Sequence, residues 1–399
     1  MTGLAQYWPL IPLALWLTVS LLSCLAVAAT LHRLRFNYWR PVGRPAIALI
    51  IPVRGVSPNL PALWKALRKQ KHQNFRVLFA VESPDDPAYG TLAALIGRAK
   101  RPRTEIVVAG RAKNEGQKVH NQLAALSRIR PRDSIVVFAD ADILPTRAWL
   151  ADIVDLVRRR KALIVSGYRW MVPDDRRLST AVACAINDAM ASTTRPSRLC
   201  MAWGGTMALR YEALTRIGIR RWLKGSLNDD LQLTRAAHAK GSGIHSPPHM
   251  LIQSPVSFDW RDFLAFGHRQ YVQLRIYAPA HWALGVVTYT IPIIGWLTAI
   301  PLAWAGDYFA IGALAAAFVM QQVRASLRLR IPRKLWREET DRPVALLDRW
   351  ATPALVVLNA FLIWSALFSR KIYWGGRLYR IEAPQRVRIL SDAPDRDAG

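Results

Sequence analysis

Two aspartates, one residue apart, follow the apolar run Ile135-Val136-Val137-Phe138 in the order Ala139-Asp140-Ala141-Asp142. The run reads as a buried strand, and its carboxyl end is the edge at which an open α/β sheet takes its ligand. In extended chain the i and i+2 positions share one face. Asp140 and Asp142 can therefore bridge one divalent cation, Mg²⁺ or Mn²⁺, and leave positions open for phosphate oxygens. Read alone, the pair fits a helix cap as well, with Asp142 or Thr146 opening the helix that follows. Two further acidic pairs favour a site. Asp85-Asp86 closes an earlier apolar run and Asp229-Asp230 opens a helical stretch, in a chain where acids are scarce.

The elements that must hold these carboxylates alternate between short β-rich runs and helical patterns, the order of a mostly parallel α/β sheet. Strands are expected at Ala46–Val53, Arg76–Val81, Glu105–Val108, Ser134–Ala139 and Ala162–Ser166, and helices at Leu60–Gln70, Pro87–Arg98, Gln117–Arg128 and Thr146–Arg159. Neither a GxGxxG turn nor a GxxxxGK[ST] loop is present. The first strand instead runs into the turn Pro52-Val53-Arg54-Gly55-Val56-Ser57-Pro58-Asn59-Leu60, so phosphates need another cradle.

Lys and Arg number 55 against 27 Asp and Glu, a net charge of +28, beside 52% hydrophobic residues and 16 Trp. That much apolar and aromatic content excludes a disordered basic tail and leaves nucleic acid or an anionic membrane face as the partner of the charge. Long uncharged runs decide for the membrane. Thr2–Leu31 is long enough to span, and its positive charge follows it, at His32, Arg33, Arg35 and Arg40. A cleaved signal peptide, with Ala26-Val27-Ala28 as its cut site, would place the charge before the apolar run. The positive-inside rule puts the N-terminus outside and the rest of the chain in the cytoplasm.

Trp282–Gly306 and Tyr308–Val323 read as a hairpin turning at Asp307. Trp350–Ser369 either crosses against the charge rule or is re-entrant, and Arg324–Pro343 is either a basic amphipathic segment on the leaflet or a solvated loop. Cys24, Cys184 and Cys200 have no metal-ligand spacing and read as packing residues.

These motifs together resemble the membrane-bound ceramide glucosyltransferases, of the inverting GT-A glycosyltransferases of the family-two type. Gly55-Val56-Ser57-Pro58-Asn59-Leu60 is similar to that family's GVxPNL turn, and Val81-Glu82-Ser83-Pro84-Asp85-Asp86-Pro87-Ala88 to its first aspartate motif. Gln117-Lys118-Val119-His120-Asn121 is similar to PKxxN, Asp140 falls on the second aspartate, Gly204-Gly205-Thr206-Met207-Ala208-Leu209-Arg210 resembles GxSxxxR, and Asp229-Asp230 stands in place of Glu-Asp. The family's Arg or Gln, two residues, Arg-Trp pattern is altered: Phe266–Arg275 has no Arg-Trp, and Gln270-Tyr271 or a shifted Arg275 takes that place.

The resemblance implies an α/β fold with a GT-A nucleotide-sugar domain, one N-terminal and about three C-terminal membrane helices. The divisions expected are 1–34 (anchor), 35–260 (cytoplasmic catalytic domain), 261–281 (interfacial segment), 282–370 (membrane region) and 371–399 (polar tail). Asp230 is the implied general base, Asp140 and Asp142 the cation ligands. Asp86, Lys118, Asn121, Gly205, Thr206, Asp229, Arg269, Gln270 and Arg275 are the implied substrate contacts. The reaction implied is transfer of glucose from UDP-glucose to a ceramide-like lipid with inversion, at a bacterial-type inner membrane bearing anionic headgroups, with no role for nucleic acid. Other acceptors compatible with the motifs are a hopanoid, a diacylglycerol or a polyprenyl phosphate. A non-catalytic basic membrane-surface protein would share the charge but has no use for acidic pairs at strand ends.

Overall fold

The computed structural model describes residues 10–34, 43–56, 58–97, 99, 101–159, 162–193 and 195–392. Thr2 to Pro9, Arg35, Arg40, Ser57, Arg98 and residues 393–399, on which several expectations fall, lie outside the described residues.

Nine strands belong to the sheet domain: β1 (Ile47–Pro52), β2 (Phe75–Val81), β3 (Arg103–Val108), β4 (Ile135–Phe138), β5 (Ile164–Ser166), β6 (Tyr168–Pro173), β7 (Met207–Arg210), β8 (Ile244–His245) and β9 (Leu251–Val256). Its helices, numbered after the N-terminal α1 (Leu10–Arg33), are α2 (Leu60–Arg68), α3 (Pro87–Ile96), α4 (Gln117–Leu126), α5 (Trp149–Arg159), α6 (Leu178–Ala191), α7 (Tyr211–Ile217), α8 (Ile219–Leu223) and α9 (Asp230–Ala239). There follow α10 (Trp260–Tyr277), α11 (Pro279–Trp304), α12 (Tyr308–Arg328), α13 (Arg330–Leu335), α14 (Arg342–Trp350), α15 (Thr352–Ser365), and the strands β10 (Lys371–Trp374), β11 (Arg377–Ala383) and β12 (Arg386–Asp392).

Seven strands form one sheet in the order β3-β2-β1-β4-β7-β5-β8, parallel except where β7 runs antiparallel to β4 and β5. The continuous apolar sequence of β1 follows from its central place, because both of its faces are covered. Leu49, Ile51, Val77, Phe79 and Val137 pack on one side and Ile50, Leu78, Val136 and Phe138 on the other. The expected strands and helices are found to within a few residues. β6, β7, β8 and β9 were not expected: β7 is only four residues long, β8 two, and β6 pairs β9 in a separate sheet.

Among the described residues three helices are long and apolar enough to cross a membrane: α1, α11, and α12 continued through α13. They pack on one another, and Val27 and Leu31 of α1 meet Trp170 and Leu251 of the sheet domain, which marks the end of the bundle nearest the sheet. Arg324–Pro343 is neither loop nor surface strip at its start. Arg324 to Arg328 close α12, and the Arg328 guanidinium is buried against Asp348 and Ser192.

The fourth apolar run is not one straight helix: it breaks by 87° between α14 and the helix Thr352–Phe368. At the start of α15 Arg324 Nη2 lies 3.4 Å from Thr352 Oγ1 and Gln321 Nε2 donates to Arg349 O at 2.7 Å. At its end Trp282 Nε1 donates to Ile363 O at 3.1 Å and His268 Nδ1 lies 2.8 Å from Ser365 Oγ. Both ends of α15 are thus tied to residues near the sheet-domain end of the bundle.

The expected polar tail is a correction. Residues 371–392 form an antiparallel three-stranded sheet whose alternate residues Ile372, Tyr379, Ile381 and Val387 are buried with Phe263, Tyr271 and Leu362. Arg377, Arg380, Arg386 and Arg388, set among these apolar residues, conceal the two-residue period. Gly375 and Gly376, both at positive φ, make the two-residue turn that pairs Trp374 with Arg377. Arg377, 3% exposed, pins this sheet to the sheet domain through Glu82 at 2.5 Å and Gln117 Oε1 at 2.7 Å.

Candidate active site

Asp140 and Asp142 leave the end of β4 through a turn over Ala141 and Asp142, not in the extended chain expected. α5 begins at Trp149, well beyond Asp142, so Asp142 does not cap it. Asp142 Oδ1 is buried and has no hydrogen-bond partner. Facing the pair, Lys118 stands in the first turn of α4. Its Nζ lies 2.6 Å from Asp140 Oδ1 and 3.1 Å from Asp229 Oδ1.

The second acidic pair is set by the loop entering α9. Asp229, 1% exposed, accepts from Gln122 Nε2 at 2.6 Å, and Asp230 Oδ2 accepts from the Gly204 amide at 2.9 Å. Asp230 Oδ1 accepts from Leu231 N at 2.6 Å, an amide that Asn228 Oδ1 also reaches at 2.7 Å. α10 clamps this loop: Asn228 Nδ2 donates to Gln273 Oε1 at 2.6 Å, and Leu227 N donates to the Tyr277 hydroxyl at 2.9 Å. α10 is therefore a wall of the site, not merely the interfacial segment expected. A Cβ at Gly204 would meet Lys118 Nζ at 2.6 Å and oxygens of Asp140 and Asp229 at 3.4 Å. Only glycine lets the backbone pass between the two acidic pairs.

Electrostatics follow from crowding. Burial works against the Lys118 ammonium, but Asp140, Asp229 and Asp230 outweigh it and hold its pKa well above the ordinary value. Burial and then Asp229 push Asp230 up to about 6, against Lys118 and the Gly204 amide. Asp140 is raised as well, by burial and then by Asp142 and Asp229, against the pull of Lys118. Four carboxylates thus share one ammonium. The acidic excess and the unpartnered Asp142 oxygen fit a divalent cation, which needs only one or two protein carboxylates when phosphates complete its shell. Among the described residues no group of three His, Cys, Asp or Glu side chains converges on one point.

The other residues singled out from the sequence divide. Arg269 and Gln270 line the cavity with the acidic pairs, and the Arg269 guanidinium lies 5.4 Å from the Phe266 ring centre and 5.5 Å from that of Trp374. Asp86 caps α3 at Ala88 N and accepts from Gly55 N at 2.8 Å, which fastens the turn after β1 to the end of β2. Four expectations are corrected. Asn121 is buried between Gln117 Nε2 and the carbonyl of Ala80 and does not line the cavity. Thr206 is buried under Trp149 Nε1, and Gly205 packs on Trp203, so the close approach belongs to Gly204. Arg275 does not line the cavity, as its neighbours Gln273 and Leu274 do, but binds the carbonyl of Ser369 at 2.9 Å. Sequence reasoning missed Gln122, Gln273 and Tyr277, whose roles depend on helix packing. It also missed Trp374, for which the Gly-Gly turn is the available signal.

The cavity has a volume of about 560 Å³. Lys118 and the four aspartates line it together with apolar Met171, Ile186, Phe263 and Leu362, and Thr30 of α1 and Asn359 of α15 join the lining. Residues 15–387 match the model of glycosyl transferase family 21. The chain belongs to that family. This is the family of ceramide glucosyltransferases that the motifs resemble, and the mostly parallel sheet with its antiparallel β7 is a GT-A-type fold. Among solved structures, a mannosyltransferase from Pyrobaculum calidifontis in complex with GDP-Man and Mn²⁺ is 18% identical, with 89% of this chain and 98% of that one covered, at a TM-score of 0.49. TarS residues 1–349 of S. aureus in complex with UDP-GlcNAc is 11% identical, with 87% and 99% covered, at 0.39. Family membership, the fold and the cavity identify this protein as a glycosyltransferase.

Proposed function

We propose that this family 21 protein transfers glucose from UDP-glucose to the hydroxyl of a ceramide-like membrane lipid, by one displacement that inverts the anomeric carbon. The observation that supports it is a single cavity whose lining combines carboxylates and an ammonium, suited to a diphosphate and its cation, with apolar side chains and with residues of α1 and α15.

Asp230 is the general base. Its carboxylate accepts only from amides, so it remains fixed and ionised above about pH 6, near the optimum for proton abstraction at neutral pH. It receives the proton of the lipid hydroxyl as that oxygen attacks the anomeric carbon. The bond to the diphosphate oxygen breaks on the opposite face. Lys118, pinned by Asp140 and Asp229, presents a charge to the leaving diphosphate. A divalent cation held by Asp140 and Asp142 would add Lewis-acid stabilisation of that leaving group. Arg269 and Gln270 bound the sugar and headgroup space, and Asp86 orders the turns beside the nucleotide end.

The basic ends of α1 and α12, His32, Arg33, Arg324 and Arg328, stand beside the sheet domain, while the turn at Asp307 lies at the far end. By the positive-inside rule the sheet domain faces the cytoplasm at an inner membrane, against anionic headgroups. The test is to incubate the purified protein in nanodiscs with radiolabelled UDP-glucose, other UDP-hexoses, GDP-mannose and a panel of ceramide, diacylglycerol, hopanoid and polyprenyl phosphate. Mass spectrometry of the product is expected to show a β-glucosyl ceramide. Exclusive glycosylation of another lipid would overturn the acceptor, and absence of any transfer in the presence of Mn²⁺ or Mg²⁺ the reaction.

A further inference from the structure

A second cavity of about 550 Å³ lies within the helical bundle, between α1, α6, α11, α12 and α15. Ile186, Met190, Thr193, Arg195 and Asn359 line both this cavity and the active-site cavity, so the two adjoin with no element between them. Its volume falls in the ~300–1,000 Å³ range of small-molecule pockets. Its outer part is apolar, walled by Trp16, Val19, Pro292, Trp296, Leu314 and Phe318. Its inner part carries charge: Arg328 is paired with Asp348, whereas Arg324 Nε has no partner and its two Nη atoms reach only Ser23 and Thr352 hydroxyls at 3.4 Å.

α1, α11 and α12 pack closely on one another, whereas α15 packs chiefly on α10 and α11 and meets α12 through Thr352 and Arg324. Phe318, half-exposed, lines the cavity from α12 and packs on Trp350, the last residue of α14, with ring centres 6.2 Å apart. The apolar outer part of the cavity offers few polar partners to ordered water, and in a bilayer the molecules next to it are hydrocarbon chains.

Resting on the transfer reaction proposed above, we propose that this second cavity receives the hydrocarbon chain of the lipid acceptor, which enters sideways between α12 and α15. The headgroup then passes Arg195 and Asn359 and brings its hydroxyl to Asp230. Arg195, which lines both cavities, presents its donors to an oxygen acceptor beside the reacting hydroxyl, the amide carbonyl of a ceramide-like headgroup.

The full-length protein in phosphatidylcholine nanodiscs is photolysed with a ceramide whose acyl chain bears a diazirine, and in parallel with a phosphatidylglycerol bearing the same group. Labelled peptides from α12 and α15 with the ceramide probe are the expected result. Ala189→Trp and Val356→Trp fill the cavity from α6 and α15 and are expected to lose this labelling. They should also lower transfer to long-chain ceramide by roughly tenfold or more, with UDP-glucose binding unchanged. Leu297→Trp, on an outward face at 71% exposure, is the control that retains both. Labelling confined to outward helix faces, labelling by the phosphatidylglycerol probe alone, or wild-type transfer by both filled variants overturns the proposal. Labelling needs no donor, so a protein that labels at α12 and α15 but transfers no sugar overturns the reaction and leaves the chain-binding cavity standing.

Discussion

Replacing Asp230 by Asn should make the protein more stable as it makes it nearly inactive. Asp230 ionises in the fold with a pKa near 6 against an ordinary value of 3.8. A carboxyl raised in the folded state favours its neutral form there. Holding it ionised at pH 7.5 therefore costs about 3 kcal/mol, at 1.36 kcal/mol per unit. Asparagine removes that charge. It retains one acceptor oxygen, which can keep the Gly204 amide, and the Leu231 amide left behind still has Asn228 Oδ1 at 2.7 Å. The lost hydrogen bond thus costs only about 1 kcal/mol, and the net gain is about 2 kcal/mol, a rise of a few degrees in Tm. Transfer should fall by about 10²- to 10⁴-fold with donor binding retained. The sign with pH is definite: the gain from removing the charge is full above about pH 6, shrinks as pH falls through it, and is gone below about 3.8, where only the cost of the lost hydrogen bond, about 1 kcal/mol, remains. Wild-type transfer should fall over the same descent, as the base becomes protonated. Thermal unfolding at pH 7.5 and 5.0 and transfer assays at both measure this. A variant with normal turnover would remove Asp230 from the base role. One that is equally destabilised at both pH values would make Asp230 a structural cap.

Asp142→Asn should abolish the dependence of transfer on Mn²⁺ or Mg²⁺ while leaving stability within about 0.5 kcal/mol, because Asp142 Oδ1 makes no hydrogen bond that folding needs; metal titrations of activity check it. Gly204→Ala places a methyl 2.6 Å from Lys118 Nζ and should dislodge the ammonium from Asp140, weakening UDP-glucose binding by about tenfold or more in a nucleotide-displacement assay. Arg377→Met removes the nearer cation of Glu82, leaving Arg54 at 3.8 Å, together with the bond to Gln117, and should destabilise docking of the C-terminal sheet by about 1.5–3 kcal/mol. Faster proteolysis after β10 and loss of transfer, through displacement of Trp374, are the expected signs.

Local chemistry determined much of this. The apolar run Ile135–Phe138 followed by two aspartates, the scarcity of acids in a basic chain and the long uncharged segments are properties of short stretches, so strand β4, the acidic edge and the helices α1, α11 and α12 were legible without coordinates. So was the pairing of Asp229 and Asp230 with a helix start. What sequence could not assign is which polar groups face inward on the same cavity. Asn121 and Lys118 stand three residues apart on α4, yet one is consumed by the Ala80 carbonyl and the other reaches two carboxylates. That choice depends on how α4 lies over the sheet. Gly204 differs from Gly205 only by which of them passes between Lys118 and the aspartates. The bend before α15 and the docking of residues 371–392 rest on contacts with partners more than eighty residues away, Trp282 with Ile363 and Glu82 with Arg377. Composition and periodicity report what each stretch tends to form, because those tendencies arise from neighbouring residues. Which distant surfaces close around a cavity is settled by packing, whose energies exist only once the chain has folded.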